Sequence, residues 1–247
     1  MAECVDKAVI VTGASNGIGR AIALQCISMG FYVIACDQDQ KGLDSLGDEV
    51  STQSIMTIQL DVSDYQQVES CFDQAAEHIE SRKIYGLVNN AGIYLGRSFL
   101  TYSPKEIDRI IDVNIKGAIY FSKYFALKAM QASQEGVIVN IASVSGQEGS
   151  SDAIYGASKA AIIGLTKSCA MNFAPSIRVN AVAPTLVNTN MIKLVPQERV
   201  TEYRNRELLG DPVQPEDVAE TVLFLLSEKS RHYTGAVFDL NNGVYLR

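Results

Sequence analysis

Histidine is scarce in this sequence. Of 247 residues only His78 and His232 carry an imidazole, and they lie far apart. No His-Glu-x-x-His or comparable ligand spacing is present, so no catalytic metal is expected. Cysteine is also sparse and odd in number: Cys4, Cys26, Cys36, Cys71 and Cys169, with no Cys-x-x-Cys pair. Most fall inside apolar periodic segments and read as small buried thiols of a reducing, cytoplasmic compartment. Cations are outnumbered, 21 Lys and Arg against 28 Asp and Glu, for a net charge of −7. Such a surface repels phosphate backbones and anionic lipid, which argues against nucleic-acid and membrane partners. No apolar run approaches the ~20 residues that a bilayer span needs. The first residues, MAECVDKAVIVTG, carry Glu3 and Asp6 and no basic segment, and the apolar stretch ends at a glycine turn. They read as a first strand and not as a signal peptide. Only six prolines occur, scattered, with no linker, repeat or charge block. The simplest expectation is one domain spanning 1–247.

What is present is an alternation of short β-branched runs and longer helical patterns. Strands are expected at Ala8–Thr12, Tyr32–Asp37, Ile55–Leu60, a segment ending at Leu87–Asn89, Val137–Ile141, Ile177–Val182 and Val237–Leu240. Helices are expected at Gly17–Met29, Lys41–Glu49, Tyr65–Ser81, Pro104–Met130, Tyr155–Phe173 and Glu216–Leu226. Runs that are apolar at nearly every position are buried on both faces. This predicts an α/β fold, a Rossmann-type doubly wound parallel sheet of about seven strands covered by helices on both sides. Ligands of such sheets bind at the carboxyl ends of the strands.

The first strand runs into Thr12-Gly13-Ala14-Ser15-Asn16-Gly17-Ile18-Gly19 and then a helix. This is a spacing variant of the dinucleotide fingerprint. Its glycines permit a tight turn and a close backbone approach, and the helix N-terminus offers free N–H groups to a pyrophosphate. Asp37 ends the second strand, 18 residues after Gly19. An acid there accepts hydrogen bonds from both adenosine ribose hydroxyls and repels a 2′-phosphate. Asn16 is neutral, neither Gln38 nor Asp39 is basic, and Lys41 is the only cation nearby in sequence. NAD is therefore the expected cofactor. Asp61-Val62 closes the third strand, where adenine would lie. Asn89-Asn90-Ala91-Gly92 closes the fourth, with small residues that let a flat cofactor come close.

Tyr155 and Lys159 stand four apart on an expected helix and share a face. The pattern is cheap, because Tyr124 and Lys128 repeat it. The contexts differ: Ser143 lies 12 residues before Tyr155, just past the fifth strand, whereas Asp112 holds that place before Tyr124. The Tyr124 pair therefore reads as ordinary helix surface. With TGASNGIG at 12–19, Asp37, DV at 61–62, NNAG at 89–92, Asn114 in DVNIKG, Ser143, YGASK at 155–159 and RVNAVAP at 178–184, the chain resembles the short-chain dehydrogenase/reductase family nearly end to end.

The resemblance implies that Tyr155 is the general acid/base on a carbinol oxygen and that Ser143 holds that oxygen. Lys159 would bond the nicotinamide ribose and favour the phenolate, and Asn114 would anchor a proton-relaying water. It implies a dinucleotide site of Gly13, Ser15, Asn16, Gly17, Ile18, Gly19, Asp37, Asp61, Val62, Asn90, Ala91, Gly92, Tyr155, Lys159, Pro184, Val187 and Thr189. It also implies a homotetramer, for which Ala157, Ala160, Ala161 and Gly164 permit close helix packing. Two departures stand out. The family's usual Pro-Gly is Pro184-Thr185, and its usual Asp-Gly-Gly is Asn241-Asn242-Gly243. A positive φ at 185 would suit threonine poorly, whereas Asn tolerates one. The expected activity is NAD-linked interconversion of a secondary alcohol and a ketone. The alternatives are an NADPH-type 3-oxoacyl-carrier-protein reductase, an epimerase or dehydratase, and a non-catalytic NAD-sensing protein. Against an acidic carrier, YFALKAMQA at 124–132 and KSCAMNFA at 167–174 hold single lysines and no arginine. Lys123, Lys128 and Arg97 form the one candidate basic patch. The substrate pocket is expected from Tyr94, 144–154 and 186–211.

Overall fold

The computed structural model describes residues 4–79 and 82–247, so Glu3 and the expected helix end at Ser81 lie outside the described residues. In chain order the elements are β1 (Lys7–Thr12), α1 (Gly17–Ser28), β2 (Tyr32–Asp37), α2 (Gln40–Asp48), β3 (Ile55–Gln59), α3 (Tyr65–His78), β4 (Lys83–Asn89) and α4 (Pro104–Ile111). There follow α5 (Gly117–Gln131), β5 (Gly136–Ile141), α6 (Ser145–Glu148), α7 (Ala153–Phe173), β6 (Ile177–Pro184), α8 (Gln197–Arg206), α9 (Pro215–Leu226) and β7 (Val237–Leu240).

The seven strands form one sheet in the order β3-β2-β1-β4-β5-β6-β7, every pairing parallel. The alternation of side chains along each strand feeds two layers. Val9 and Val11 of β1, Val33 and Ala35 of β2, and Val137 and Val139 of β5 pack with α1, α2 and α9. Ala8 and Ile10, Ile34 and Cys36, and Ile138 pack with α3, α5 and α7 on the other face. Both faces being covered is the reason these strands are apolar at nearly every position.

Two expectations need correction. The helix expected over Pro104–Met130 is interrupted. α4 opens on a capping box in which Ser103 and Glu106 satisfy each other's backbone N–H groups. A π-helical segment then spans Asp112–Lys116, closed by Gly117 N–H donating to the Asp112 carbonyl. The inserted residue shifts the helix face, which no 3.6-residue periodicity can reveal. A Cβ on Gly117 would lie 2.8 Å from Val62 Cγ2, so its glycine lets α5 press against the loop after β3.

Tyr124 is not surface. It is buried, stacked on Phe72 at 5.8 Å and tilted against Tyr65 at 5.3 Å. Its partner Lys128 turns outward to Asp73 at 2.9 Å. The pair thus splits between core and solvent. α8 was not foreseen, because its sequence QERVTEYRNR carries no apolar stripe and none of its residues is buried.

Candidate active site

Chain order and strand order part between β1 and β4: β2 and β3 lie to one side, β5 to β7 to the other. The connections leaving β1 and β4 diverge and leave a crevice at the carboxyl ends. Thr12 bridges it. Its hydroxyl donates to the Val88 carbonyl and accepts from the N–H groups of Asn90 and Ala91 at 3.0 and 3.1 Å. Asn90 Nδ2 returns to the carbonyls of Thr12 and Gly13 at 2.9 and 3.0 Å.

One end of the crevice is a cavity of about 210 Å³ whose wall includes Gly13, Asn16, Asp37, Asp61, Val62 and Asn90. The glycines are sterically required there. A Cβ on Gly19 would sit 2.0 Å from the Gly13 carbonyl oxygen, and one on Gly13 (φ +67) would lie 2.8 Å from Asn90 Nδ2. Asn16 makes no side-chain cap to α1 and no acid occupies the first turn, so that helix end presents bare N–H groups to the cavity. The Asp37 carboxylate accepts one backbone N–H on each oxygen, from Ser15 and from Asp39, both at 3.0 Å. Each oxygen has a further lone pair for a hydroxyl. This donor and acceptor set fits a dinucleotide.

The structure corrects the inventory of nearby cations. Lys41 is not in this wall, but Arg109 of α4 is. It reaches the Asp61 carboxylate at 2.8 Å, the Ser63 hydroxyl at 2.9 Å and Gln38 Oε1 at 3.3 Å. Hydrogen bonds from Ser63 and Arg109 hold the Asp61 carboxyl below its usual range, although partial burial opposes them as the largest single influence. Arg109 lies 48 residues from Asp61, and no sequence spacing announces the pairing.

The other end is a cavity of about 140 Å³ that shares Ile18, Asn90, Gly92, Thr189 and Met191 with the first. Its floor holds Ser143, Tyr155 and Lys159. Ser143 follows the end of β5, and its hydroxyl accepts the Ser145 N–H at 3.1 Å. Tyr155 lies in the first turn of α7, whose N-cap is Asp152. That buried carboxylate accepts the Tyr155 N–H at 3.1 Å, the Gly96 N–H at 3.1 Å and the Tyr102 hydroxyl at 2.6 Å, so one acid fixes the start of α7 to the loop after β4. The Tyr94 ring stands edge-on to Tyr155 at 5.1 Å.

Burial pushes the Tyr155 phenol up to about 12. A hydrogen bond from Ser143 opposes this, and Tyr94, Asp152 and Tyr203 add to the rise. Burial alone lowers the Lys159 ammonium to about 8. Lys159 Nζ donates to the Ile141 carbonyl at 2.7 Å and stands 5.8 Å from the Tyr155 ring. In this arrangement desolvation governs the phenol. Asn114, in the π-helical segment, accepts the Ile93 N–H at 2.8 Å and donates to the Ile93 carbonyl and to Ser158 Oγ, both at 3.0 Å. Pro184, Val187 and Thr185 complete the wall toward β6. Thr185 has no positive φ, while Asn242 adopts φ 50. Arg199 and Tyr203 of the unforeseen α8 also reach this cavity. Both residues fall within the segment 186–211 expected to shape the substrate pocket, and Arg199 lies outside the two helical stretches read as free of arginine. Among the described residues no group of three His, Cys, Asp or Glu side chains is placed to hold a metal.

The family model described as enoyl-(acyl carrier protein) reductase matches residues 13–245. A meso-2,3-butanediol dehydrogenase of Serratia marcescens is 35% identical over 240 residues, 96% of this chain and 94% of that protein. A short-chain dehydrogenase/reductase of Brucella melitensis, titled glucose/ribitol dehydrogenase, superposes with a TM-score of 0.91 at 31% identity, covering 99% of each chain. A 3-oxoacyl-[acyl-carrier protein] reductase of the same organism, solved with bound NAD, superposes with a TM-score of 0.87 at 32% identity, covering 99% of this chain and 93% of that one. With this coverage and the crevice described above, the chain is a member of the short-chain dehydrogenase/reductase family, an oxidoreductase of CH–OH and ketone groups.

Proposed function

We propose that the protein uses NAD(H) to interconvert a small neutral secondary alcohol and its ketone, with Tyr155 as the acid/base. The observation that carries this reading is the continuity of the two cavities. Gly13, Gly17 and Asp37 would hold one end of a dinucleotide, and the shared wall at Asn90 and Gly92 leads from there to Tyr155 and Ser143. The nicotinamide supplies the hydride chemistry. The protein binds, orients and moves the proton. Ser143 and the Tyr155 hydroxyl together hold the carbinol or carbonyl oxygen. For ketone reduction the phenol, neutral at physiological pH even at its ordinary value near 10 and held more firmly so by burial, is already the acid that the step needs. For alcohol oxidation the phenolate must form first. The Lys159 ammonium favours it, as would the positive charge of an oxidised nicotinamide bound beside it. One acceptor position of Asn114 Oδ1 is taken by Ile93, which leaves the second for a relaying water.

Several features support a small substrate. The three cations of the candidate basic patch are each engaged: Arg97 with Glu106, Lys128 with Asp73, and Lys123 with the Tyr65 hydroxyl. Arg199 at the mouth is paired with Glu202. An acidic carrier protein therefore finds little unpaired positive charge. The 3-oxoacyl-carrier reading remains the second one, favoured by the family model's description and by the Brucella relative. The burial of Cys26, Cys36, Cys71 and Cys169 supports a reducing cytoplasm. No helix among the described residues is long and apolar enough to cross a membrane. For assembly, Ala157, Ala160 and Gly164 face outward on α7, and Ile119, Leu127 and Met130 are exposed on α5. These small and apolar faces support a homotetramer built through α5 and α7, with the chain folding as one domain over 1–247.

Asp37 should select NAD over NADP. In Asp37→Ala, NAD affinity falls about tenfold or more, the worth of a charge-assisted hydrogen bond, and the preference narrows. Equal kcat/KM with both cofactors in the native protein would refute the assignment.

Tyr155→Phe should lower turnover by about 10²–10⁴-fold, the usual contribution of a positioned acid/base, with NAD binding retained. Tyr124→Phe should leave turnover near native. Because the phenol stands near 12 before ligands bind, kcat/KM for oxidation should rise with pH above neutrality, while ketone reduction gains nothing. Comparable losses in the two variants, or a flat oxidation profile, would assign the chemistry elsewhere.

On substrate, kcat/KM should be greater for a panel of aliphatic and cyclic secondary alcohols than for acetoacetyl thioesters. An advantage of about tenfold for the thioester, equivalent to 1.4 kcal/mol, would move the reading to the carrier-linked reductase. On assembly, light scattering at micromolar concentration should return four times the 26.9 kDa chain mass, and a monomer mass would refute it.

A further inference from the structure

α8 poses a physical problem. It forms part of the substrate-side wall through Arg199 and Tyr203, yet none of its residues is buried. The hydrophobic packing that seats α1, α5 and α9 is not available to fix it. Its restraints are polar and gather at its C-terminal end. Glu207, the residue after the helix, has a side chain only 2% exposed. Its carboxylate accepts three hydrogen bonds: from Thr185 Oγ1 at 3.2 Å, from the Arg204 guanidinium at 3.1 Å and from Asn242 Nδ2 at 3.3 Å. The donors come from the end of β6, from α8 itself and from the segment after β7. The Asn242 carbonyl in turn accepts the Leu208 N–H at 2.7 Å. The neighbouring Arg206 reaches the opposite way, to Glu148 of α6 and to the Val244 carbonyl at 3.2 Å. Consecutive residues of opposite charge thus tie one end of α8 to the end of β6, to α6 and to the segment after β7.

Thr185 and Asn242 are also the two positions at which the sequence departs from the glycines usual in the family. A glycine at either place has no side-chain donor. With φ outside the left-handed region at 185, threonine costs no backbone strain there. Both departures converge on one carboxylate, which would be unfavourable to bury without such donors.

We propose that Glu207 is a positioning residue that holds α8 over the substrate cavity, with Thr185 and Asn242 as its dedicated donors, and so sets how closely Arg199 and Tyr203 approach the substrate. The claim about α8 stands on geometry alone. Its consequence for KM rests on reading this cavity as the alcohol site. Backbone hydrogen exchange and steady-state kinetics on the full chain test the two parts separately. In Glu207→Ala, amides of α8 should exchange about tenfold faster or more while those of α9 keep their native rates. KM for the alcohol should rise about tenfold, kcat should change less than about threefold, and NAD affinity should hold within about twofold, the pattern of lost substrate binding without lost chemistry. Glu207→Gln, which keeps the shape and one acceptor oxygen, should recover part of both effects. Thr185→Val should produce a smaller change in the same direction, and adding it to Glu207→Ala should add nothing, since both remove the same contact. Native α8 exchange in Glu207→Ala, or equal acceleration in α8 and α9, would overturn the proposal. If Glu207→Ala does not fold, native α8 exchange in both Glu207→Gln and Thr185→Val overturns it equally. If the native protein turns over no alcohol in the panel, the functional reading fails while the exchange result still decides the clasp.

Discussion

The divergence of connections at β1 and β4 is the constraint on which the rest of this molecule depends. Parallel strands cannot be joined by hairpins, so each requires a crossover, and the crossovers must part where the sheet is entered. At that seam two strand ends are left without a helix above them. Thr12 and Asn90 keep the seam from collapsing by exchanging hydrogen bonds between the two ends. Every group implicated in binding or chemistry lies along the resulting crevice or within one turn of it. The glycines answer to the same constraint. Backbone from the loop after β1 and the loop after β4 approaches so closely that a Cβ on Gly13 or Gly19 would collide with main chain or with Asn90.

The electrostatics of the crevice divide along its length. Toward Asp37 the cavity is polar, with bare helix N–H groups, two carboxylates and the Arg109 guanidinium bridging Asp61 and Gln38. Toward Tyr155 it is drier, and desolvation is the leading influence on both Tyr155 and Lys159, raising the phenol and lowering the ammonium. The two shifts share one cause: burial strengthens the phenol's hold on its proton and weakens the ammonium's. Proton transfer then depends on what binds beside them. The Asp152 cap matters here for placement as well as charge, because it holds the start of α7 and the Tyr94 loop against each other.

Helix seating follows two different rules. α1, α5 and α9 are held by apolar faces pressed on the sheet, and their positions could be anticipated from apolar spacing. α8 is held by ionic and hydrogen-bonded ties at one end, from residues near 148, 185 and 242. Interactions of this kind leave little periodic trace, which is why α8 was not read as a helix although the segment 186–211 was expected to line this cavity. The same holds for the π-helical segment at Asp112–Lys116. Its inserted residue shifts the helix face by an amount that a 3.6-residue pattern does not resolve, so the pattern read as one helix from Pro104 onward.

By itself the sequence determined the layer architecture, the strand order of burial, the glycine loop with Asp37, and the grouping of Ser143, Tyr155 and Lys159 behind one strand. These are local facts. Period-2 and period-3.6 patterns, turn residues and short spacings act within a few residues of one another, and the carboxyl-end rule for parallel sheets does the remaining work. Only the tertiary structure decided that Tyr124 packs on Phe72 while Tyr155 lines a cavity, that Arg109 enters the cavity beside Asp37, that Arg199 and Tyr203 are the α8 residues that reach the other one, and that Thr185 and Asn242 meet at Glu207. Each of these pairs residues tens of positions apart through side chains whose reach depends on where helices come to rest. That resting place is a sum over the whole core and no segment of the chain carries it alone.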